Sequence, residues 1–352
     1  MSSESQAASV RPRIAMVLGD PAGIGPELIA KLLAQESVRR TADILLIADK
    51  HEVEEGMRVA GCRFECALVN SLDNLRFEEV PLLYDFHGTS AGPFVRGRAS
   101  IAGGRYTLDT LKVALDVTLA GKTDAIMFAP LNKSSLHMAG MTCADELHWF
   151  AEQIGYQGPF CEFNAMDGLW TSRVTSHVAL KDVPNLITTP RVIEAIGLID
   201  SALRQSGIEQ PRIAVCGLNP HCGDESNFGR EEIDLIQPAV AHARASGVNV
   251  EGPFPADTIF LKVQGDHRIY DAIVTMYHDQ GQIAMKLMGF SRGVSICGGL
   301  PIPITTPSHG TAFDIATKGI ANVSATLQAF HMACRLGRSY RLSHSTNHAI
   351  AN

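Results

Sequence analysis

Three histidines stand at or just beyond the ends of apolar runs: His177 in VTSHVAL, His221 in LNPHCGDES and His278 in MYHDQGQ. They lie 44 and 57 residues apart, so no local metal-binding signature joins them. In a parallel sheet, however, the carboxyl ends of separate strands converge on one crevice, where such side chains can meet. Three neutral imidazoles with open positions suit a catalytic divalent zinc. The alternative for each histidine alone is a surface or hydrogen-bonded core residue, since the chain holds thirteen. Acidic residues adjoin two of them, Asp279 beside His278 and Asp224 near His221.

Other candidates sit in similar positions. Lys133 follows an apolar run in PLNKSS, where a lysine can bind an anion or exchange a proton, or else is a solvated surface residue. Lys286 is flanked by Met285, Leu287 and Met288, so it either snorkels outward or points into a site. Asp257 in GPFPADT follows two prolines and is either a helix cap or a catalytic carboxylate. Trp149 and Phe150 in DELHWFAEQ read as helical core.

These residues need a scaffold, and the hydrophobic patterning supplies one. Strands are expected at 13–19, 43–49, 124–130, 172–180, 212–220 and 272–280, with helical segments at 26–35, 105–120, 190–206 and 232–246 between them. Alternating strands and helices predict mainly parallel sheets covered on both faces. After the first strand, GDPAGIGPE carries Gly23 and Gly25, but Leu28 breaks the dinucleotide fingerprint G-x-G-x-x-G. The AGKTD stretch at 120–124 likewise lacks the glycine of a phosphate loop. What remains at 19–27 is a tight turn bracketed by Asp20 and Glu27. Near the C-terminus, HGTAFDIATKGIANVSA (309–325) reads as a donor-rich turn opening a helix, an arrangement suited to an anionic cofactor.

Composition narrows the function classes. The chain has 352 residues, 45% hydrophobic and 19% charged, with a formal charge of −7. That charge, with no basic run, argues against nucleic acid as a partner. No apolar stretch reaches membrane-spanning length. The eight cysteines form no C-x-x-C pair, and several lie in apolar stretches as small buried residues. A polar N-terminus without a signal-peptide core completes the expectation of a cytoplasmic protein with a disordered tail over 1–12.

In order along the chain, GDPAGIGPE, NPHCGDES, GPFPADT, MYHDQG and SHGTAFDIATKGIAN resemble the 4-hydroxythreonine-4-phosphate dehydrogenase family, over about residues 13 to 335. The resemblance implies two αβα domains of the isocitrate/isopropylmalate dehydrogenase-like type with the active site in the cleft between them. The first, on the cofactor side, is expected to span 13–125 plus 300–352. The second, on the metal and dimer side, is expected over 126–299. It further implies a divalent metal, expected to be zinc, on His177, His221 and His278, with one histidine donated across a homodimer interface. NAD is implied at His309, Gly310, Thr311, Ala312 and Asp314, together with Asp20, Gly23 and Gly25. Lys286 matches a family lysine, and Asp257 and Asp279 match acidic residues near the metal. The proton acceptor is left open among Lys133, Asp257 and Asp279.

The substrate pocket departs from the family pattern. Glu146-Leu147-His148 stands where the family has His-Thr-Glu, Ser295 replaces a substrate-contacting asparagine, and Ile304 falls at a substrate-binding arginine. Losing a bidentate anion binder and gaining a carboxylate disfavours a phosphorylated ligand. The expectation is therefore NAD-linked oxidation, with decarboxylation, of a non-phosphorylated hydroxy acid such as terephthalate cis-1,2-dihydrodiol. The alternatives are the 4-hydroxythreonine 4-phosphate enzyme itself and a non-catalytic ligand-binding protein on this fold.

Overall fold

The computed structural model describes residues 10–87, 94–265 and 268–350; the expected tail over 1–12 lies almost wholly outside them. The chain divides into two compact units, one running to Tyr156 and resuming at Pro301, the other Gln157–Leu300.

The first unit contains β1 (Arg13–Val17), β2 (Asp43–Ala48), β3 (Ala67–Val69), β4 (Leu82–Asp85), β5 (Ala125–Phe128) and β12 (Ile304–Pro307). They lie in the order β3-β4-β2-β1-β5-β12, and every pairing is parallel. Ile14 to Val17 and Leu45 to Ile47 are wholly buried, as parallel strands covered on both faces must be. Helices Gly25–Leu33, Glu36–Thr41, Lys50–Ala60, Ile101–Leu119, Lys133–Met138, Glu146–Gln153 and Ser324–Ile350 belong to this unit. Side-chain caps start three of them: Ser100 accepts the Gly103 N–H, Asn132 the Ser135 N–H and Asp145 the His148 N–H.

Residues 126–156, expected in the second domain, fall in the first unit. The reason is packing: β5 sits between β1 and β12, and Phe150 rests on Phe128 with ring centres 6.1 Å apart. Trp149 and Phe150 are buried helical residues, as the pattern suggested.

The second unit holds β6 (Cys161–Met166), β7 (Leu169–Arg173), β8 (Ile213–Cys216), β9 (Val250–Phe254), β10 (Ala272–Thr275) and β11 (Val294–Gly298). Their order is β11-β6-β7-β10-β8-β9, with β11–β6 and β6–β7 antiparallel and the rest parallel. Helix Thr189–Gln205 packs against β6, β7 and β11, and helix Gln237–Ala245 against β9. Helix His278–Gly289 lies against β7 and β10, with Met285 in a core of Met166, Leu169, Ile273 and Phe260.

Two segments differ from the expected pattern. The strand expected at 172–180 is β7, ending at Arg173, so His177 falls in the bend that follows, with φ 43°. HGTAFDIATKGIANVSA does not open a helix: a single turn at Phe313–Ile315 is followed by irregular chain, and the helix begins at Ser324. Thr317 and Gly319 both take positive φ there, which regular helix cannot accommodate.

Backbone proximity is most demanding at the β1 turn. A Cβ on Gly25 would collide with the Leu18 carbonyl oxygen, and one on Gly23 would lie 2.8 Å from Thr311 Cβ. Gly25→Ala is therefore expected to lower unfolding stability by about 1–3 kcal/mol, as overpacking does; a thermal melt beside the wild type checks it.

Candidate functional site

The parallel pairing of β7 and β10 brings His177 and His278 together. Beyond the strands, the Thr175 N–H and hydroxyl both bond the Met276 carbonyl, at 3.1 and 2.8 Å. Each histidine sits two residues past that tie, and their ring centres are 5.6 Å apart. Imidazoles sharing one tetrahedral zinc, with Zn–N of about 2.0–2.1 Å, have ring centres about 5 Å apart. The pair therefore fits two ligands of one metal. His278 Nδ1 lies 2.7 Å from Asp279 Oδ1. A carboxylate can only accept, so Nδ1 carries the proton and Nε2 keeps its lone pair for a metal. Asp279 thus orients His278.

His221 belongs to a different part of the same unit, and among the described residues no group of three or more His, Cys, Asp or Glu is gathered to hold a metal. Its loop is unusual: His221, Cys222, Asp224, Glu225 and Ser226 all adopt positive φ between 44° and 81°. Such conformations cost free energy in non-glycine residues and persist where surroundings over-determine them. Buried Glu232 anchors the chain entering this loop: its Oε1 accepts the Leu218 and Asn219 N–H groups at 2.7 Å each, while its Oε2 accepts from the Asn219 amide at 3.0 Å. Asp257, exposed on the short helix Ala256–Ile259, is near enough for its charge to act on Cys222. Burial, reinforced by the Glu232 and Asp257 charges, pushes the Cys222 thiol up to about 11. The second unit therefore brings His177, His278 and Asp279 together, and among the described residues His221 is not gathered with them into one group.

In the first unit, the two segments expected to receive the cofactor meet. The Ile24 N–H bonds the Thr311 carbonyl at 3.1 Å, and Gly23 lies against the Thr311 side chain. Ala312 is left-handed with φ 44°, Gly310 faces open space, His309 Nδ1 is 3.1 Å from the Gly310 carbonyl, and Asp314 is exposed. Glu27 is part of the scaffold: it pairs with Lys31 at 2.7 Å and accepts the Ala321 N–H at 2.7 Å. Lys31 in turn donates to the Gly319 and Ala321 carbonyls. Asp20 is buried, its Oδ1 accepts the Ala22 N–H at 2.9 Å, and no partner reaches Oδ2 among the described residues. Burial raises its carboxyl above the ordinary value, against the opposing pulls of the Ser135 hydroxyl, the Ala22 amide and the Arg96 charge. The close Gly23–Thr311 approach and the open space at Gly310 fit a turn that receives a cofactor.

Lys133 is exposed at the start of its helix, near enough to Asp145 to lower that carboxyl. Burial acts to raise Asp145, but the His148 hydrogen bonds and the Lys133 charge outweigh it. His148 Nδ1 lies 2.6 Å from Asp145, and Glu146 is half-buried next to it. Lys286 is exposed on the His278–Gly289 helix.

The positions read as pocket departures are mostly something else. Leu147 and Ile304 are buried, and Ile304 is paired in register with Ile126 inside the sheet, so neither walls a ligand. Ser295 lies opposite Asn164 in the β11–β6 pairing, and the Asn164 amide donates to its hydroxyl at 3.1 Å. The amide absent at 295 thus stands on the neighbouring strand. The sequence reading missed Asn164, Arg173, Ser176, Gln282 and Glu232. Its available signals were a charged residue closing a strand (Arg173) and a polar residue four after His278 on a helix (Gln282).

Two α/β units with mainly parallel sheets and a histidine pair oriented by Asp279 set this chain beside the dehydrogenases of its fold. The chain belongs to the family described as pyridoxal phosphate biosynthetic protein PdxA, which it matches over residues 40–333. It is 64% identical over 328 residues, 93% of this chain and 97% of the relative, to the Pseudomonas aeruginosa protein named "Putative 4-hydroxythreonine-4-phosphate dehydrogenase 2". A solved 4-hydroxythreonine-4-phosphate dehydrogenase from Klebsiella pneumoniae superposes with a TM-score of 0.80 at 33% identity, covering 94% of this chain and 99% of that one. A solved terephthalate 1,2-cis-dihydrodiol dehydrogenase from Burkholderia xenovorans LB400 is further off, at 0.65 and 27%, covering 93% and 98%. The chain is accordingly a dehydrogenase, an activity that implies a nicotinamide dinucleotide as hydride acceptor. The expected non-phosphorylated, dihydrodiol-type substrate is overturned by the 64% identical relative. The physical reason is that Leu147 and Ile304 are core residues, while Lys133 and His148 remain. Among the described residues no helix is long and apolar enough to cross a membrane.

The buried Asp20 carboxyl gives a pH prediction. Its folded pKa lies above the ordinary 3.8, so it contributes stability at low pH that is lost as pH rises through the folded value. Asp20→Asn keeps the Oδ1 acceptor but does not titrate. The melting temperature of the variant minus that of the wild type should therefore increase as pH rises above the ordinary carboxyl value of 3.8, and a flat difference would remove the buried-charge account.

Proposed function

We propose that this protein oxidises 4-hydroxythreonine 4-phosphate at its C3 hydroxyl, with NAD(P) as acceptor. The observation that carries the reading is the His177–His278 pair, 5.6 Å apart with Asp279 on His278 Nδ1, in a chain 64% identical to a relative bearing that activity's name. A divalent metal, which we take to be zinc, would be held by this pair and by His221 of a second copy. When bound, it acidifies the substrate hydroxyl and stabilises negative charge on that oxygen. His177 and His278 would hold the metal, and Asp279 keeps His278 in its ligating tautomer. With Asp279 so engaged, Lys133 and Asp257 are the groups left to accept the hydroxyl proton. The ketone formed at C3 is β to the carboxylate, so the product loses carbon dioxide.

The homodimer in this reading rests on His221 not being gathered with His177 and His278 among the described residues, and on the exposed apolar side chains of these segments. Large apolar side chains are exposed on the segments that carry the histidines: Leu180 (69%) three residues after His177, Ile283 (59%) and Leu287 (84%) along the helix that starts at His278, and Phe228 (52%) seven residues after His221. Such flanking patches favour burial against another copy.

Two experiments test these points. Purified protein given zinc should form NADH from 4-hydroxythreonine 4-phosphate and not from unphosphorylated 4-hydroxythreonine, and a chelator should abolish the signal. Equal turnover of both compounds would refute the substrate assignment. His221→Ala and His278→Ala proteins should each be inactive alone. Remixed after dissociation, they should recover about a quarter of wild-type activity, since half the dimers are hybrids with one complete site. No recovery would mean that one chain supplies all three ligands.

A further inference from the structure

A buried polar network in the second unit ties together the two segments that carry His177 and His278. Arg173, at the end of β7, has a side chain only 5% exposed. Its Nε donates to the Ser176 hydroxyl at 2.9 Å, one residue before His177. Its Nη1 donates to Asn164 Oδ1 at 2.9 Å and its Nη2 to Glu162 Oε2 at 3.1 Å. Gln282, one helical turn after His278, donates its side-chain amide to the same Asn164 Oδ1. Asn164 Nδ2 is held in turn by Glu162 at 2.9 Å and Ser295 at 3.1 Å. A single amide oxygen on β6 therefore receives one bond from each histidine-bearing segment.

Nothing in the packing of the sheet requires this. A buried guanidinium carries a desolvation cost, and an apolar side chain of similar volume would commonly stabilise the fold as well or better. A planar fork bonding three partners instead fixes directions that an apolar contact leaves free. His177 also needs fixing: at φ 43° its backbone is in a sparsely populated region, in a bend outside any strand.

We propose that Arg173 and Asn164 form a positioning clamp that sets the spacing of His177 and His278, acting through Ser176 and Gln282, and so sets metal affinity. The clamp rests on the reading above that these histidines hold a metal. It touches neither ring, so all four are positioning residues. The Thr175–Met276 backbone tie is independent of it and would persist in the variants.

The test is titration of the metal-free full-length protein with Co2+, read by visible absorption, alongside its thermal midpoint without metal. Ser176→Ala and Gln282→Leu each delete one bond at a half-buried position. Each should weaken Co2+ binding on the order of 10-fold, and Arg173→Met by up to about 100-fold, the range typical for groups that support metal ligands. The midpoints of Ser176→Ala and Gln282→Leu should stay at the wild-type value. Arg173→Lys should not rescue, because an ammonium cannot reproduce the three-way fork. His278→Ala is the control. Wild-type affinity in both Ser176→Ala and Gln282→Leu would overturn the clamp, even if Arg173→Met fails to fold. If the wild type binds no better than His278→Ala, the metal reading fails and the clamp fails with it.

Discussion

The arrangement of the second unit depends on one buried charge. The Arg173 guanidinium is inserted among β6, β7 and the bend carrying His177, where water cannot satisfy its donors. Its nitrogens instead find fixed acceptors, one each at Ser176, Asn164 and Glu162. Once those bonds are made, the chain leaving β7 has one direction, and Asn164 receives Gln282 from the helix opposite. The parallel β7–β10 pairing brings His177 and His278 near each other; the guanidinium removes the remaining freedom.

The first unit reaches comparable order by different means. Its constraint is backbone proximity rather than charge. Gly23 and Gly25 allow the turn after β1 to approach Thr311 and Leu18 more closely than any side chain permits. The buried Glu27–Lys31 pair fastens the 319–321 segment from the other side. The segment after the HGTA turn is thus tied to the first helix from both sides, without being helical itself.

Much of this was legible in the residues, and the failures have identifiable causes. β1, β2, β5, β8 and β10 are continuous apolar runs and were readable, because strands buried on both faces leave that signature. β6 and β11 were missed because Glu162, Asn164 and Ser295 interrupt the run; the polar network that supports the site is what hid the strands. The helix expected after His309 failed for the complementary reason: amphipathic spacing over 313–323 belongs to side chains packing from irregular backbone, as Ile315 does against Ile24 and Leu28. Leu147 and Ile304 were read as ligand-facing through alignment to a pattern, and only burial reveals that their changes concern packing. The nearness of His177 to His278 across a hundred residues follows from strand order, which no local spacing encodes.

The loop over 220–226 has a consequence for how this protein can change over time. The chain entering these five left-handed non-glycine residues, Leu218 and Asn219, is held by Glu232, a side chain outside the loop. A substitution at 232 would thus be felt at His221, while many substitutions within the loop that relieve strain, such as to glycine, would be tolerated by the backbone. The loop and the turn that begins at 232 are therefore one heritable unit: neither can drift far unless the other drifts with it.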